Sequence, residues 1–150
     1  MITYCIEPFS RVYAELLPLL HKHYEEISLH KDHGFPLAPK VGAYLAREQD
    51  GTLLMVIGRE AGQIVCYFVC FIAPGLHYEN CLTCSPDIFF VREDKRGGRA
   101  GIRLFQFVER ELKRRGVKLW FVGSKNAHSV VGLLKYLKFE PVETIHAKWL

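Results

Sequence analysis

The fold of this chain is decided by the stretch Asp87–Leu104, which reads DIFFVREDKRGGRAGIRL. An apolar run, Ile88–Val91, is followed by a short loop rich in glycine and arginine and then by a helix pattern. That order predicts a strand, a loop and a helix N-terminus, where several backbone N–H groups lack internal acceptors. Such a point binds an anionic group, most often a phosphate.

Length and composition predict one globular domain over residues 1–150. Hydrophobic residues make up 49% of the chain and charged residues 24%, which is typical of a globular protein and not of a disordered one. No apolar run approaches the roughly 20 residues that cross a bilayer, and the first residues do not resemble a secretion signal. We therefore expect a cytoplasmic protein with no membrane partner.

Positive charge is clustered near the glycine-rich loop. The net charge is +4, and five basic side chains lie within the twelve residues Arg92–Arg103. A cluster of this kind suits an anionic small molecule as well as nucleic acid. Because no aromatic side chains interleave with it on a recognisable platform, we expect no nucleic-acid partner.

The five cysteines invite a zinc interpretation, because Cys66 and Cys70 are followed by Cys81 and Cys84. The first pair, however, lies in a strand-like run, and residues four apart on a strand are about 13 Å apart. One zinc ion cannot bridge that distance without a sharp bend. We therefore expect no metal site, and we expect the cysteines to be small buried apolar residues in a reducing compartment.

Four helices are predicted from apolar side chains that recur at helical spacing. Their ranges are Phe9–Ile27, Pro39–Ala46, 99–115 and His128–Leu137. Pro18 predicts a kink in the first helix or its division into two short ones. Gly116 ends the third helix, and Asn126 is expected to cap the last.

Five strands are predicted from apolar runs bounded by turn residues. They cover Leu53–Gly58, Ile64–Ile72, Cys81–Val91, Lys118–Val122 and Glu143–Trp149. Pro86 predicts a bulge or an edge-like position in the third strand. The strands on either side of the third helix must run parallel. We therefore expect an α/β (α+β) domain with a mixed, mostly antiparallel sheet and helices on both faces.

The loop resembles the acyl-coenzyme A loop of the GNAT-type N-acetyltransferases, whose motif is Arg/Gln-x-x-Gly-x-Gly/Ala between a strand and a helix. Arg96 fills the first position of that motif, Gly101 fills the last, and Leu104 fits the leucine that follows three residues later. The family's middle glycine is Arg99 in this chain, and an extra glycine stands at Gly98. The Gly-Lys-Ser/Thr and Gly-x-Gly-x-x-Gly fingerprints of nucleotide-binding loops are absent.

The order and spacing of elements resemble the same family from Leu53 to the last residue. The segment near Phe139 is similar to the family's late Tyr-x-x-x-Gly-Phe sequence, with Lys138 at the glycine. Leu134 stands where the family commonly has the tyrosine that protonates the departing thiolate.

Two shorter stretches, His23–Ile27 and His77–Tyr78, are similar to acetyltransferase-like proteins of tailed phages and prophages. This likeness predicts a phage-type or prophage-type member of the superfamily.

The resemblance implies a single GNAT-like domain with a sheet of about six to seven strands. It implies transfer of an acetyl group from acetyl-coenzyme A to a primary amine, by direct attack in a ternary complex. The residues expected to contact the coenzyme are Phe89, Phe90, Val91, Arg96, Gly97, Gly98, Arg99, Ala100, Gly101, Ile102 and Asn126. The acceptor is a small-molecule or protein amine, and the protein is expected to be a monomer or a homodimer.

Three side chains are candidate catalytic residues. Asp87 precedes Val91 by four residues, where a general base is useful; the alternative is a strand-end carboxylate paired with a lysine or arginine. His77 titrates near neutral pH and is a second candidate base, or an ordinary surface residue of a polar loop. Tyr136 lies two residues from Leu134 and is the candidate acid.

The acceptor side is predicted from acidic and aromatic residues. Glu25 and Glu26 lie on the first helix, which in this family often lines the acceptor cleft, and Tyr78 is a candidate wall of that cleft. The alternative to the enzyme is a catalytically inactive GNAT-fold protein that binds coenzyme A or a protein partner. The irregular loop and the missing tyrosine at Leu134 favour this alternative.

Overall fold

A five-stranded sheet in the order β1-β2-β3-β4-β5 forms the centre of the computed structural model, which describes residues 1–150. The strands are β1 (Thr3–Ile6), β2 (Leu53–Glu60), β3 (Gln63–Gly75), β4 (Tyr78–Val91) and β5 (Leu119–Trp120). Neighbouring strands are antiparallel except β4 and β5, which are parallel because a helix connects them. The predicted mixed, mostly antiparallel sheet is confirmed, with five strands and not six to seven.

Helices cover both faces of the sheet, as predicted. They are α1 (Phe9–Ile27), α2 (Val41–Gln49), α3 (Ala100–Arg114) and α4 (Val131–Tyr136). Helices α1 and α2 pack on one face, and α3 and α4 pack on the other. The sheet is therefore the middle layer of a three-layer domain.

The apolar side chains whose helical spacing predicts α3 form one buried stripe on that helix. The four residues of this stripe pack around the Phe68 ring of β3, and all five side chains are fully or almost fully buried. They are Leu104, Phe105, Val108, Leu112 and Phe68. Burying one such side chain stabilises the fold by roughly 1.5–3 kcal/mol. This packing fixes α3, and with it the loop that precedes α3, against the sheet.

Helix α1 is a single helix, so of the two expectations for Pro18 the division into two short helices is wrong, and the kink stays a prediction. Proline removes one intrahelical hydrogen bond, the one that the carbonyl of Ala14 would accept. Both residues are exposed to water, which can satisfy that carbonyl. The buried stripe of Val12, Leu16 and Leu20 continues past the proline and holds both halves of the helix on the sheet.

The closing strand predicted at Glu143–Trp149 does not form. No residue from Glu140 onward makes a hydrogen bond, and Trp149 instead stacks on the His33 ring with the ring centres 3.9 Å apart. The expected strand is therefore replaced by an aromatic contact with the segment after α1. In its place the sheet gains β1, which the sequence patterns did not predict.

The start of α4 also differs from the prediction. The helix begins at Val131, and Asn126 lies five residues before it in an exposed turn, so Asn126 is not its cap. The Ser124 hydroxyl oxygen instead accepts the N–H of Val130 at 3.0 Å. The expected helical start at His128 is a turn that pairs with Lys125.

Three of the five cysteines, Cys66, Cys70 and Cys84, are buried among apolar side chains, as predicted, whereas Cys5 is exposed and Cys81 is half-buried. No group of three histidine, cysteine or acidic side chains is arranged to hold a metal ion. None of the helices combines the length and the apolar character that crossing a membrane requires.

Lys138 ends α4 in a left-handed backbone conformation with φ of 65°. Its N–H donates to the Lys135 carbonyl at 3.0 Å, and the Phe139 N–H donates to the Leu134 carbonyl at 2.9 Å. These two bonds are the Schellman arrangement, which favours glycine at the left-handed position. The chain therefore carries strain where the GNAT pattern has glycine.

We expect Lys138→Gly to raise the free energy of unfolding by about 1 kcal/mol, because glycine adopts positive φ without a Cβ clash. The melting temperature should rise by roughly 2–4 °C. Lys135→Gly, an exposed position inside the same helix, is the control and should lower stability by about 1 kcal/mol. Thermal and denaturant unfolding of the three proteins would check this, and equal loss of stability in both variants would contradict it.

Candidate active site

Strand β4 loses its neighbour on one side halfway along. It pairs with β5 only at Thr83–Leu119 and Cys84–Trp120. Beyond that point Pro86 has no N–H to donate, and β4 continues with β3 alone on its other side. The sheet therefore opens along the second half of β4, between β4 and the segment that follows β5.

The predicted bulge in β4 is confirmed and lies at Asp87. In the register with β3, Val69 faces Ile88 and Cys70 faces Pro86, so Asp87 has no partner. A bulge puts two successive side chains on the same side of a strand. Ile88 packs on the α1 face of the sheet, and the Asp87 carboxylate meets Tyr44 of α2 on that same face.

The loop between β4 and α3 presents free backbone donors. None of the six successive N–H groups from Gly97 to Ile102 donates a hydrogen bond within the protein. Gly97 has φ of 76°, a conformation that glycine adopts without cost, and Arg99 caps α3 with φ of −91°. The partial positive charge of the helix N-terminus adds to these donors. Together these donors form a cradle that can bind an anionic group.

The cradle lies next to the open part of the sheet. A Cβ atom added to Gly101 would come within 3.6 Å of the Leu133 side chain on α4 and 3.9 Å of Val91 at the end of β4. The Tyr4 hydroxyl of β1 donates to the Ala100 carbonyl at 3.0 Å and holds the start of α3 in place. The donors are therefore fixed between the end of β4 and α4.

Arg96 is engaged by groups of the protein itself. Its Nε donates to the Val91 carbonyl at 2.8 Å, and its Nη2 lies 2.7 Å and 3.0 Å from the two carboxylate oxygens of Glu26. Its guanidinium carbon lies 5.1 Å from the centre of the Phe90 ring. Arg96 therefore ties the loop to α1, and its predicted contact with the coenzyme stays a prediction.

Unpaired positive charge near the cradle comes from two other arginines. Arg99 and Arg103 are exposed and make no ion pair, whereas Lys95 is paired with Glu60 at 2.5 Å. These three cations line a cavity of about 240 Å³ at the start of α3, together with Ile2, Tyr4 and Ala100. Positive charge at this point favours an anionic ligand in the adjacent cradle.

Asp87 is half-buried and makes one hydrogen bond. The Tyr44 hydroxyl of α2 donates to its Oδ2 at 2.7 Å, and its Oδ1 has no partner in the protein. Burial raises the pKa of the Asp87 carboxyl, while the Tyr44 hydrogen bond and the charge of Arg47 oppose that rise. A raised pKa makes a carboxylate a stronger base, which suits a group that accepts a proton.

The structure adds His23 to the residues at this face, which the sequence patterns did not single out. His23 is 6% exposed, and its Nδ1 lies 2.6 Å from the Tyr67 hydroxyl. Burial lowers the pKa of His23 to about 4, so its ring is neutral at neutral pH. Its ring centre lies 5.1 Å from that of Phe90. The available signal was a histidine seven residues after Leu16, on the apolar stripe of α1.

The predicted acceptor residues lie in different places. Glu25 is exposed on α1 and its carboxylate is unpaired, whereas the Glu26 carboxylate is held by Arg96. His77 and Tyr78 form the exposed tip of the β3–β4 hairpin, nine residues or roughly 30 Å of strand from Asp87. The structure therefore does not bring the hairpin tip to Asp87.

The remaining predicted residues lie on α4, in the turn before it and at the end of β4. Tyr136 is 64% exposed at the end of α4 and makes no hydrogen bond, and Asn126 is exposed in the turn before that helix. Phe89 packs on the α3 face of the sheet, whereas Phe90 packs on the α1 face. Val91 is the last residue of β4 and lies against the cradle.

No protein-family model matches this chain, and no curated protein matches it in sequence. Solved structures do match, and an aminoglycoside acetyltransferase from an uncultured soil metagenomic sample is one of them. It superposes with a TM-score of 0.75 at 14% identity, over 100% of this chain and 98% of its own. A predicted acetyltransferase from Clostridium acetobutylicum, solved with acetyl-coenzyme A, superposes with a TM-score of 0.73 at 11% identity, over 99% of this chain and 96% of its own.

A transcriptional regulator from Bacillus halodurans superposes with a TM-score of 0.76 at 15% identity, over 99% of this chain and 100% of its own. At such identities a structural likeness shows the fold alone. The phage-type subgroup stays a prediction. The likeness over the full length of the chain shows that this protein has the fold of the GNAT acetyltransferases.

Proposed function

We propose that this protein transfers an acetyl group from acetyl-coenzyme A to a primary amine by direct attack in a ternary complex. The observation that carries the proposal is the row of six free N–H groups from Gly97 to Ile102 beside the open half of β4. The donor set fits a diphosphate, since it combines main-chain N–H groups, a helix N-terminus and the unpaired Arg99 and Arg103. An acetyltransferase of the same fold was solved with acetyl-coenzyme A.

Each part of the site has a task in this reaction. The cradle would hold the diphosphate, and the open edge of β4 would offer main-chain groups to the pantetheine arm. When bound, acetyl-coenzyme A would supply the acetyl group, whose carbon–sulfur bond would break as the bond to the amine nitrogen forms, with the coenzyme leaving as its thiolate. Of the two protons that the bound ammonium group loses, Asp87 would accept one and the departing thiolate the other. Holding both reactants in line supplies much of the rate.

The acceptor is a cationic amine in this proposal. The Asp87 carboxylate and the unpaired Glu25 carboxylate both attract an ammonium group, and no basic side chain is paired with either. Polyamines, aminoglycosides, amino acids and the lysine or N-terminal amine of a protein all meet this requirement. A structural neighbour is an aminoglycoside acetyltransferase, which makes aminoglycosides a rational first set to test.

The alternative function is a GNAT-fold protein that binds coenzyme A or a partner without catalysis. Leu134 stands where the family commonly has a tyrosine, and the exposed Tyr136 hydroxyl makes no hydrogen bond within the protein. Release of thiol from acetyl-coenzyme A in the presence of spermidine, kanamycin, lysine and a short peptide would separate the two functions. Turnover that depends on one of the amines supports the enzyme, and tight coenzyme binding without turnover supports the alternative.

Arg99→Glu should weaken acetyl-coenzyme A binding about tenfold, because it replaces an unpaired positive charge beside the cradle by a negative one. Arg110→Glu makes the same change in net charge on the exposed face of α3, about three turns from the cradle, and serves as the control. Calorimetric titration at two salt concentrations measures both. Equal weakening by the two variants would mean that only net charge matters and would remove Arg99 from the site.

Asp87→Asn should lower kcat by at least about 100-fold, which is the usual contribution of a general base. Acetyl-coenzyme A binding should remain within twofold of the parent, since the cradle is built from other residues. Glu79→Gln, an exposed carboxylate near the start of the same strand, is the matched control and should retain parental turnover. Full activity of Asp87→Asn would exclude Asp87 as the base.

A further inference from the structure

Tyr44 of α2 is held rigidly against Asp87. Its ring stacks on Phe9 with the ring centres 4.8 Å apart and an interplanar angle of 14°, and it lies 6.1 Å from Phe71. Its hydroxyl donates to Asp87 Oδ2 at 2.7 Å. Because the ring is clamped between two elements, the hydroxyl cannot swing away, and the bulge in β4 aims Asp87 at it.

We propose that Tyr44 is a positioning residue for the proton-accepting carboxylate of Asp87. The inference rests on the proposed acetyl transfer and adds a residue to which neither the loop motif nor the fold assigns a role. The Tyr44 hydroxyl occupies Oδ2 and leaves Oδ1 for the amine. It also stabilises the ionised carboxylate, which is the form that can accept a proton.

The groups that face Asp87 come from two elements. Tyr44 and Arg47 approach from α2, and the Arg47 guanidinium is itself placed over the Phe71 ring at 4.3 Å. Tyr67 and Cys70 approach from β3. Burial raises the pKa of the Tyr67 hydroxyl, and the hydrogen bond with Cys84, together with burial, raises the pKa of the Cys70 thiol. Tyr44 is therefore the one group that donates a hydrogen bond to Asp87, and Arg47 is the charge that assists it.

The hydrogen bond that the Tyr44 hydroxyl donates to Asp87 determines in which direction the pH profile should move when Tyr44 is replaced. Turnover requires ionised Asp87, so kcat/KM rises with pH through the pKa of its carboxyl. Removing a donor that stabilises the carboxylate raises this pKa. In Tyr44→Phe the acidic limb of the profile should therefore move to higher pH by roughly one unit, and the high-pH plateau should stay within a few fold of the parent.

The experiment compares the kcat/KM profiles of the parent, Tyr44→Phe and Tyr13→Phe against the amine that supports turnover. Phenylalanine keeps the ring stack on Phe9, so the fold is preserved. Tyr13→Phe is the matched control, because Tyr13 also packs on Phe9 at 4.9 Å and its hydroxyl makes no hydrogen bond. The proposal expects the shift in Tyr44→Phe alone, with acetyl-coenzyme A affinity unchanged in both variants.

The double variant Tyr44→Phe/Asp87→Asn completes the test. If Tyr44 acts through Asp87, the double variant should be no slower than Asp87→Asn alone. A Tyr44→Phe enzyme that is slower at every pH without a shifted limb, or that matches the parent throughout, overturns the inference while leaving acetyl transfer intact. A parent protein that transfers no acetyl group overturns the proposed function itself, so the two failures are distinct.

Discussion

The early end of the pairing between β4 and β5 is the constraint on which the rest of the structure depends. β5 contributes only two residues, and past Cys84 strand β4 carries a proline without an N–H and then the bulge at Asp87. The two strands therefore separate just before the chain turns into the loop and α3. The free N–H groups of Gly97–Ile102 consequently lie beside an open sheet edge. One irregular stretch of strand thus creates the opening and turns the Asp87 carboxylate towards Tyr44 of α2.

Helix α1 joins the two halves of the site. The Glu26 carboxylate holds Arg96 of the loop, and one turn earlier the buried His23 is bonded to Tyr67 of β3. Between them lies the Phe90 ring, which His23 contacts on α1 and over which Arg96 is placed. The loop between β4 and α3 and the α1 face of the sheet therefore share one packed wall. Because such a wall resists small displacements, the free N–H groups of the loop are held in fixed positions relative to that face.

The sequence correctly predicted the features that depend on neighbouring residues. Each of these has a signal within a few positions of the sequence: the strand, loop and helix of residues 87–104, the buried stripe of α3 and the bulge near Pro86. The pairing of Tyr44 with Asp87 joins residues 43 apart, and that of Glu26 with Arg96 joins residues 70 apart, so neither leaves a periodic signal. The strand predicted over Glu143–Trp149 is wrong for a related reason. Its alternation suits a strand, but the contact of Trp149 with the segment after α1 competes with pairing in the sheet.

The two departures from the GNAT sequence pattern at glycine positions have different physical meanings. Arg99 replaces a glycine of the motif, yet its φ of −91° is open to any residue, and the left-handed position of the loop is Gly97. The loop therefore accommodates arginine at this position without backbone strain, and Arg99 places an unpaired cation at the helix N-terminus. Lys138 replaces a glycine at φ of 65°, where a side chain costs free energy. The chain accepts strain at the end of α4, far from the cradle donors in sequence, and none in the loop that would grip the diphosphate.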